Sequence, residues 1–134
     1  MSQQNVSTVK DIYAAYGRAD VASILNHLSD DVDWGTESSA TGIPWYALRK
    51  GKESVRGFFT GLVEHVDVSD FNPREYMASE AQVAVYLTFN IRVKKNGKHV
   101  AMNSIHHWTF DDRGRVLRYR AFEDTAAVEA AWRG

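Results

Sequence analysis

The chain has 134 residues, of which 44% are hydrophobic, and this is enough for one domain with a buried core. Its formal net charge of -1 provides no basic surface to attract nucleic acid or an anionic membrane. It contains no cysteine, which excludes disulfides, thiolate zinc sites and cysteine nucleophiles. The N-terminal residues show no leader pattern and no apolar run approaches membrane-spanning length. We therefore expect a soluble, cytoplasmic protein that folds as a single domain over residues 1–134.

The N-terminal part of the chain predicts two helices. Ser7 and Thr8 can cap a first helix that ends at Gly17. Asp20 can cap a second helix, which would end in the turn-forming run 29–31. The apolar residues that recur at helical spacing in these two segments are Val9, Ile12, Tyr13, Tyr16, Val21, Ile24, Leu25 and Leu28.

A short strand, a loop and a third helix are predicted next. Apolar and polar residues alternate from Val32 to Thr36, whereas residues 37–51 mix Ser, Gly, Pro and aromatics without a period. This loop carries Trp45 and Tyr46, which would either form a lid or only cover an open end of the fold. The third helix has the most regular apolar stripe, which consists of Val55, Phe58, Phe59, Leu62 and Val66.

The second half of the chain predicts strands. A strand over residues 68–78 should lie at a sheet edge or contain a bulge, because Pro73 has no N–H for a ladder. Asn96-Gly97 then predicts a two-residue hairpin turn that places Leu87 opposite His106. In that register the inward face holds Val85, Leu87, Phe89, Ile91, Val93, Val100, Met102, Ser104, His106 and Trp108. The outward face holds Tyr86, Thr88, Asn90, Arg92, Ala101, Asn103, Ile105 and His107.

A second turn at residues 111–114 joins a further strand to this hairpin. A four-residue loop pairs Phe110 with Arg115 and makes Tyr119 the cross-strand neighbour of His106. The inward face then continues with Leu117, Tyr119, Ala121 and Glu123, and the outward face with Val116, Arg118, Arg120 and Phe122. Asp124 can cap a closing helix. Helices that precede a run of antiparallel strands are typical of an α+β fold.

These segments together resemble the nuclear transport factor 2-like superfamily, in particular its SnoaL-like and ketosteroid isomerase-like members. The resemblance covers nearly the whole chain and is carried by residues 19–20, 30–34, 51–59, 107–110 and 122–127. It implies a cone-shaped, curved antiparallel sheet, packed on the N-terminal helices around a pocket. It also implies a homodimer that forms through the outer face of the sheet.

The resemblance does not carry over the best-known chemistry of this fold. Ketosteroid isomerases use an aspartate base and an oxyanion hole formed by a tyrosine and a protonated aspartate. Alignment on the shared segments places Thr36 at the aspartate base, Ile12 at the tyrosine and His106 at the protonated aspartate. Limonene epoxide hydrolases of the same fold use an Arg-x-Asp pair, whereas this chain has Arg92-Val93-Lys94, with Arg92 on the outward face. We therefore expect neither reaction by its usual mechanism.

His106 is the strongest candidate for a catalytic residue. A histidine on an apolar strand face loses hydration, so its pKa falls and a neutral imidazole can act as a base or anchor a ligand. Tyr16 and Tyr119 could donate hydrogen bonds to a substrate oxygen beside it. The alternative is a core histidine that a tyrosine hydroxyl satisfies.

The remaining candidates are expected to line the pocket and bind a ligand. They are Trp34, Thr36, Trp45, Tyr46, Phe59, Leu87, Phe89, Met102, Ser104, Trp108 and Glu123. Glu123 could bind the far end of a ligand, or it could be solvated beside the helix cap Asp124. His106 and His107 point to opposite faces, so no metal site is expected. No cofactor is expected either.

Two functions are compatible with this pattern. The first is a cofactor-independent isomerase, cyclase or lyase in which His106 moves a proton on a small apolar, oxygenated molecule. The second is a ligand-binding or dimerisation module without catalysis. An open cavity at His106 would favour the first.

Overall fold

The structure is a computed structural model that describes residues 2–40 and 42–134. Its helices are α1 (Ser2–Gly17), α2 (Val21–Asn26), α3 (Lys52–His65) and α4 (Thr125–Arg133), with a single 3₁₀ turn at Pro44–Tyr46. Its strands are β1 (Leu28–Gly35), β2 (Arg49–Lys50), β3 (Val66–Ala78), β4 (Gln82–Val93), β5 (His99–Phe110) and β6 (Val116–Glu123).

The strands form one curved, unclosed sheet of six strands in the order β2-β1-β6-β5-β4-β3. This sheet packs against the helices, so the predicted α+β cone is confirmed. Neighbouring strands are antiparallel except β1 and β6, which are parallel. The predicted edge position of β3 is confirmed too, and its pairing with β4 is shifted on both sides of the segment 72–73.

The helix boundaries agree with the predicted caps at two of three places. Asp20 accepts a hydrogen bond from the N–H of Ser23 at 3.1 Å, and Asp124 caps α4 in the same way. Ser7 and Thr8 were predicted to cap α1, but α1 already begins at Ser2 and both residues lie inside it. The predicted turn at 29–31 is also wrong, because these residues belong to β1.

The hairpin between β4 and β5 has a longer loop than predicted. Arg92 pairs with His99, so residues 94–97 form the loop and Gly97 takes a φ of 74° at its end. The register is thereby displaced by two residues, and His106 lies opposite Val85 rather than Leu87. Because side chains alternate with a period of two, this displacement leaves every side chain on its predicted face.

A bulge in β6 changes the prediction for two residues. Thr109 pairs with Arg118 but Phe110 pairs with Val116, so Leu117 is an extra residue without a partner. Val116 is therefore fully buried and Leu117 is 42% exposed, which is the reverse of the prediction. Beyond the bulge, residues 119, 121 and 123 point inwards as predicted.

The second hairpin also changes the neighbour of His106. His106 pairs with Ala121, whereas Tyr119 pairs with Trp108. Tyr119 is nevertheless a diagonal neighbour of His106, with ring centroids 5.2 Å apart. The aromatic ring that was predicted beside the histidine is therefore present, but it approaches from the next pair along the ladder.

The outer face of the sheet carries exposed apolar and charged side chains. Phe122 is 56% exposed, while Arg120 is buried beneath an ion-pair network with Asp33 and Glu37 at 3.0 and 2.9 Å. These pairs hold the parallel strand β1 and the following residues against β6. Dimerisation through this face stays a prediction, which sedimentation velocity would test.

Candidate functional site

The inner face of the sheet, α1 and α3 surround a mostly apolar cavity of about 100 Å³. Eleven of the predicted site residues line it: Tyr16, Trp34, Thr36, Trp45, Tyr46, Phe59, Phe89, His106, Trp108, Tyr119 and Glu123. The sequence analysis did not single out nine further lining residues, which are Ile12, Tyr13, Ile24, Phe58, Leu62, Val68, Phe71, Ile91 and Ala121. The wall is therefore dominated by aromatic rings, with a small number of polar groups.

Three predicted ligand-binding residues lie outside the lining of this cavity. Leu87 is fully buried and pairs with Ser104 on the neighbouring strand. Met102 belongs to a separate apolar cluster with Val128 of α4. Ser104 is 2% exposed, and its hydroxyl donates a hydrogen bond to Glu123 at 3.3 Å. Ser104 therefore contributes to the site through Glu123 rather than through the cavity surface.

His106 is held by a partner that the sequence analysis missed. The hydroxyl of Tyr13 lies 2.8 Å from Nδ1 of His106, and the indole N–H of Trp108 donates to the same hydroxyl oxygen at 3.4 Å. The indole bond uses one lone pair of the hydroxyl oxygen and leaves the hydroxyl proton of Tyr13 available to donate to Nδ1. In the tautomer that accepts this bond, a neutral His106 carries its own proton on Nε2. Tyr13 follows Ile12 directly, and only the docking angle of α1 decides which of the two reaches the histidine.

Burial sets the protonation state of this end of the cavity. It lowers the pKa of His106 from 6.5 to about 3, because no acid compensates for the lost hydration. Burial also raises the pKa of Tyr13, Tyr16 and Tyr119 above the ordinary phenol value. At neutral pH the histidine is therefore an uncharged imidazole, and the three phenols keep their protons.

Glu123 forms a second polar centre in the cavity wall. Tyr46 donates a hydrogen bond to one carboxylate oxygen at 2.7 Å, and Ser104 donates to the other. Burial raises the pKa of this carboxyl above 4.5, and the two hydrogen bonds only partly offset that shift. Glu123 is thus neither frayed nor solvated beside Asp124, which was the alternative that the sequence left open.

The loop that follows β1 closes the cavity at the Glu123 end. Trp45 and Tyr46 are 5% and 7% exposed, and the ring of Trp45 packs edge-on against Trp132 of α4. These residues cover the end of the cavity as well as contributing the hydroxyl that Glu123 uses.

The two polar centres share one wall of the cavity. His106 pairs with Ala121 and Ser104 with Glu123, so the histidine and the carboxylate are one inward position apart along the ladder. A strand rises about 3.3 Å per residue, which puts their backbones roughly 7 Å apart along the sheet. A single-ring molecule can therefore contact both groups at once.

The described residues contain neither a cluster of metal ligands nor a membrane-spanning helix. Across 2–40 and 42–134, no group of three or more histidines and carboxylates is placed to hold a metal ion. Within those ranges there is also no helix of the length and apolarity that crossing a bilayer requires.

Comparison with known proteins identifies the family of this chain. The model of the SnoaL-like domain matches residues 9–119. The chain belongs to the SnoaL-like family. It is thereby a member of the nuclear transport factor 2-like superfamily, as its sequence resemblance implied. No curated protein sequence matches this SnoaL-like chain.

Solved structures of the same fold cover almost all of this SnoaL-like protein. An NTF2-like protein from Burkholderia xenovorans LB400 is 26% identical, with 98% of this chain and 97% of that chain covered and a TM-score of 0.88. An NTF2-like protein of unknown function from Burkholderia pseudomallei K96243 is 24% identical, with both chains fully covered and a TM-score of 0.89. TerC, co-crystallised with polyporic acid, is 20% identical over 98% of this chain and 99% of its own, with a TM-score of 0.85.

Proposed function

We propose that this SnoaL-like protein binds a small apolar, oxygenated molecule in its cavity and moves a proton on it without a cofactor. The observation that carries the proposal is the pairing of two polar centres, His106 with Tyr13 and Glu123 with Tyr46, in one otherwise apolar cavity. Sites that bind small molecules combine apolar walls with a few fixed polar groups in this way.

The two centres are suited to different tasks. A histidine with a pKa of about 3 is a weak base, but its Nε2–H can donate a hydrogen bond to a substrate oxygen. Glu123 has a pKa raised by burial, which makes its carboxylate a stronger base than an exposed one. We therefore assign the proton transfer to Glu123. His106 becomes the donor that stabilises charge on oxygen, with Tyr16 and Tyr119 as further donors.

The shared step of an isomerase, cyclase or lyase of this kind is abstraction of a proton next to a carbonyl. The Glu123 carboxylate takes the proton from carbon, the electron pair of the C–H bond moves into the carbonyl, and an enolate forms. The hydrogen bond from His106 Nε2 stabilises the enolate oxygen. In an isomerase, the carboxylic acid of Glu123 then returns the proton to another carbon of the conjugated enolate. In a lyase, the electron pair of the enolate breaks the bond to a leaving group, which takes the proton from Glu123. In a cyclase, the enolate carbon bonds to a second carbonyl carbon, whose oxygen takes the proton.

A second candidate is a binding protein that does no chemistry. It is favoured by the size of the cavity, about 100 Å³, because many catalytic pockets are larger. In this case the same polar centres would orient a ligand without reacting with it.

Binding of phenol and of toluene tests the proposed recognition. The two molecules have nearly the same shape, but only phenol can pair with His106 and Glu123, so we expect phenol to bind about tenfold more tightly. Titration followed by NMR measures both affinities. The variant Tyr13→Phe, which frees Nδ1 of His106, should reduce the preference for phenol, whereas Tyr86→Phe on the outer face should keep it. Equal affinity for the two molecules, or binding of neither, would contradict the proposal.

A further inference from the structure

The cavity is too small for most oxygenated organic molecules. Its volume is about 100 Å³, whereas an apolar cavity of ~150 Å³ holds a single benzene ring and ordinary ligand pockets are several times larger. Even a ligand of one ring would therefore more than fill the cavity, and any further ring or alkyl chain would have to extend beyond it. The direction in which it would extend is decided by what adjoins the wall.

A large open groove adjoins the cavity on the side of α1 and β3. Its volume is about 870 Å³, and it runs between the α1–α2 turn, α3 and the bulged part of β3. The residues that line both the groove and the cavity are Tyr13, Tyr16, Ile24, Phe59, Val68 and Phe71. The two spaces are therefore separated by a wall one side chain thick. At the other end of the cavity, Trp45 and Tyr46 are buried.

Four aromatic rings belong to this wall, and we call three of them the aromatic partition: Tyr16, Phe59 and Phe71. The ring of Tyr16 lies 6.2 Å from that of Phe59 and 5.5 Å from that of Phe71. Phe71 is carried by the bulge in β3, where the pairing with β4 shifts between Ser69 and Asn72 and Asp70 has a φ of 53°. Bulges of this kind aim side chains that a regular ladder would not. Phe71 is thus the member of the partition that lies on a strand, at a position with no partner in the ladder.

We propose that the groove binds the apolar tail of a ligand whose oxygenated head lies in the cavity, with the tail passing the aromatic partition beside Phe71. The assignment of the head rests on the proposed function. The charged residues that line the groove are Asp20 and Asp70, and no lysine or arginine lines it in the described part of the chain. An uncharged tail therefore fits the groove, and a tail that ends in a carboxylate does not.

A series of 4-alkylphenols, from 4-methylphenol to 4-hexylphenol, tests the groove. Each buried methylene contributes enough free energy to raise affinity about fourfold, so the affinity of the wild type should climb steadily along the series. The variant Ala14→Glu places a carboxylate on the exposed helical surface that lines the groove. In this variant we expect each added methylene to raise the affinity for the alkylphenol less than twofold. Ala126→Glu, which changes an exposed alanine of α4 far from the groove, should retain the wild-type gain.

The outcomes separate the groove from the head site. The proposal that the tail binds in the groove is rejected if affinity does not increase with chain length. It is also rejected if affinity increases equally in Ala14→Glu and Ala126→Glu. Thr60→Glu, on the α3 side of the groove, gives an independent variant if Ala14→Glu does not fold. If the gain in affinity per methylene depends on Ala14 but phenol binds no more tightly than toluene, the result supports binding of the tail in the groove and rejects the proposed head site. A phenol preference without a chain-length gain leaves the head site intact and rejects the groove.

Discussion

Lowering the pH from 7 to 4 is expected to destabilise the wild type by about 3 kcal/mol more than the His106→Gln variant. The pKa of His106 falls from 6.5 in the unfolded chain to about 3 in the folded protein. Between these values the unfolded chain binds a proton that the folded protein excludes. The contribution of this pKa difference to the free energy of unfolding is fully present above pH 6.5 and is lost as the pH falls towards 3. A glutamine at position 106 can still accept the hydrogen bond from Tyr13 but cannot be protonated.

Urea denaturation at pH 7 and pH 4 measures this difference. His107→Gln is the matched control, because His107 is the next residue along β5 but lies on the outer face beside Gln82. This variant keeps His106, so it should keep the acid sensitivity that His106 confers. Glu123 has a raised pKa and acts in the opposite sense, since its contribution is present below pH 4.5 and is lost as the pH rises. It is retained in all three proteins and cancels in the comparison. Equal acid sensitivity of wild type and His106→Gln would show that His106 is not buried as a neutral group.

Glu123→Gln is expected to slow proton exchange on a bound ketone by about 10²- to 10⁴-fold, the usual contribution of a general base. The assay is the exchange of protons next to the carbonyl of 2-cyclohexen-1-one in D₂O, followed by NMR. The glutamine keeps one oxygen to accept the hydrogen bond from Tyr46, and its NH2 group can donate to the hydroxyl of Ser104, so the shape of the wall is preserved. What it loses is the ability to accept a proton from carbon.

The exchange has two further properties that identify Glu123 as the base. Its rate in the wild type should rise with pH through the raised pKa of Glu123, because only the carboxylate can take the proton. Glu75→Gln, at an exposed position of β3, should leave the rate unchanged. If Glu123→Gln exchanges the ketone protons as fast as the wild type, the carboxylate is not the base. If the wild type binds the ketone without catalysing exchange, the second candidate, a binding protein, is the correct one.

The faces of the long strands could be predicted from the sequence because a period of two tolerates some errors. The loop after β4 is longer than a two-residue turn, yet a displacement of two residues keeps Phe89 and His106 on the inner face. The bulge at Leu117 shows the limit of this reasoning. A single extra residue reverses Val116 and Leu117, and no residue type near them signals it.

The partners of the candidate site could be predicted only in part. Period and resemblance indicated that His106 and Glu123 point inwards, but they could not show which side chains of other elements reach them. Tyr13 meets His106 from α1, and Tyr46 meets Glu123 from a loop. Both contacts join residues far apart in the sequence, so they depend on the docking of whole elements onto the sheet rather than on local pattern.

The resonances of the histidine rings test most directly whether a neutral His106 serves as the donor in a ligand-binding cavity. In protein with ¹⁵N-labelled histidine at pH 7, we predict that His106 carries its proton on Nε2 and that addition of phenol shifts this Nε2 resonance. His107, on the outer face of the same strand, should not respond. A His106 that carries protons on both ring nitrogens at pH 7 would contradict the proposed site. An Nε2 resonance that does not move when phenol is bound would contradict it as well.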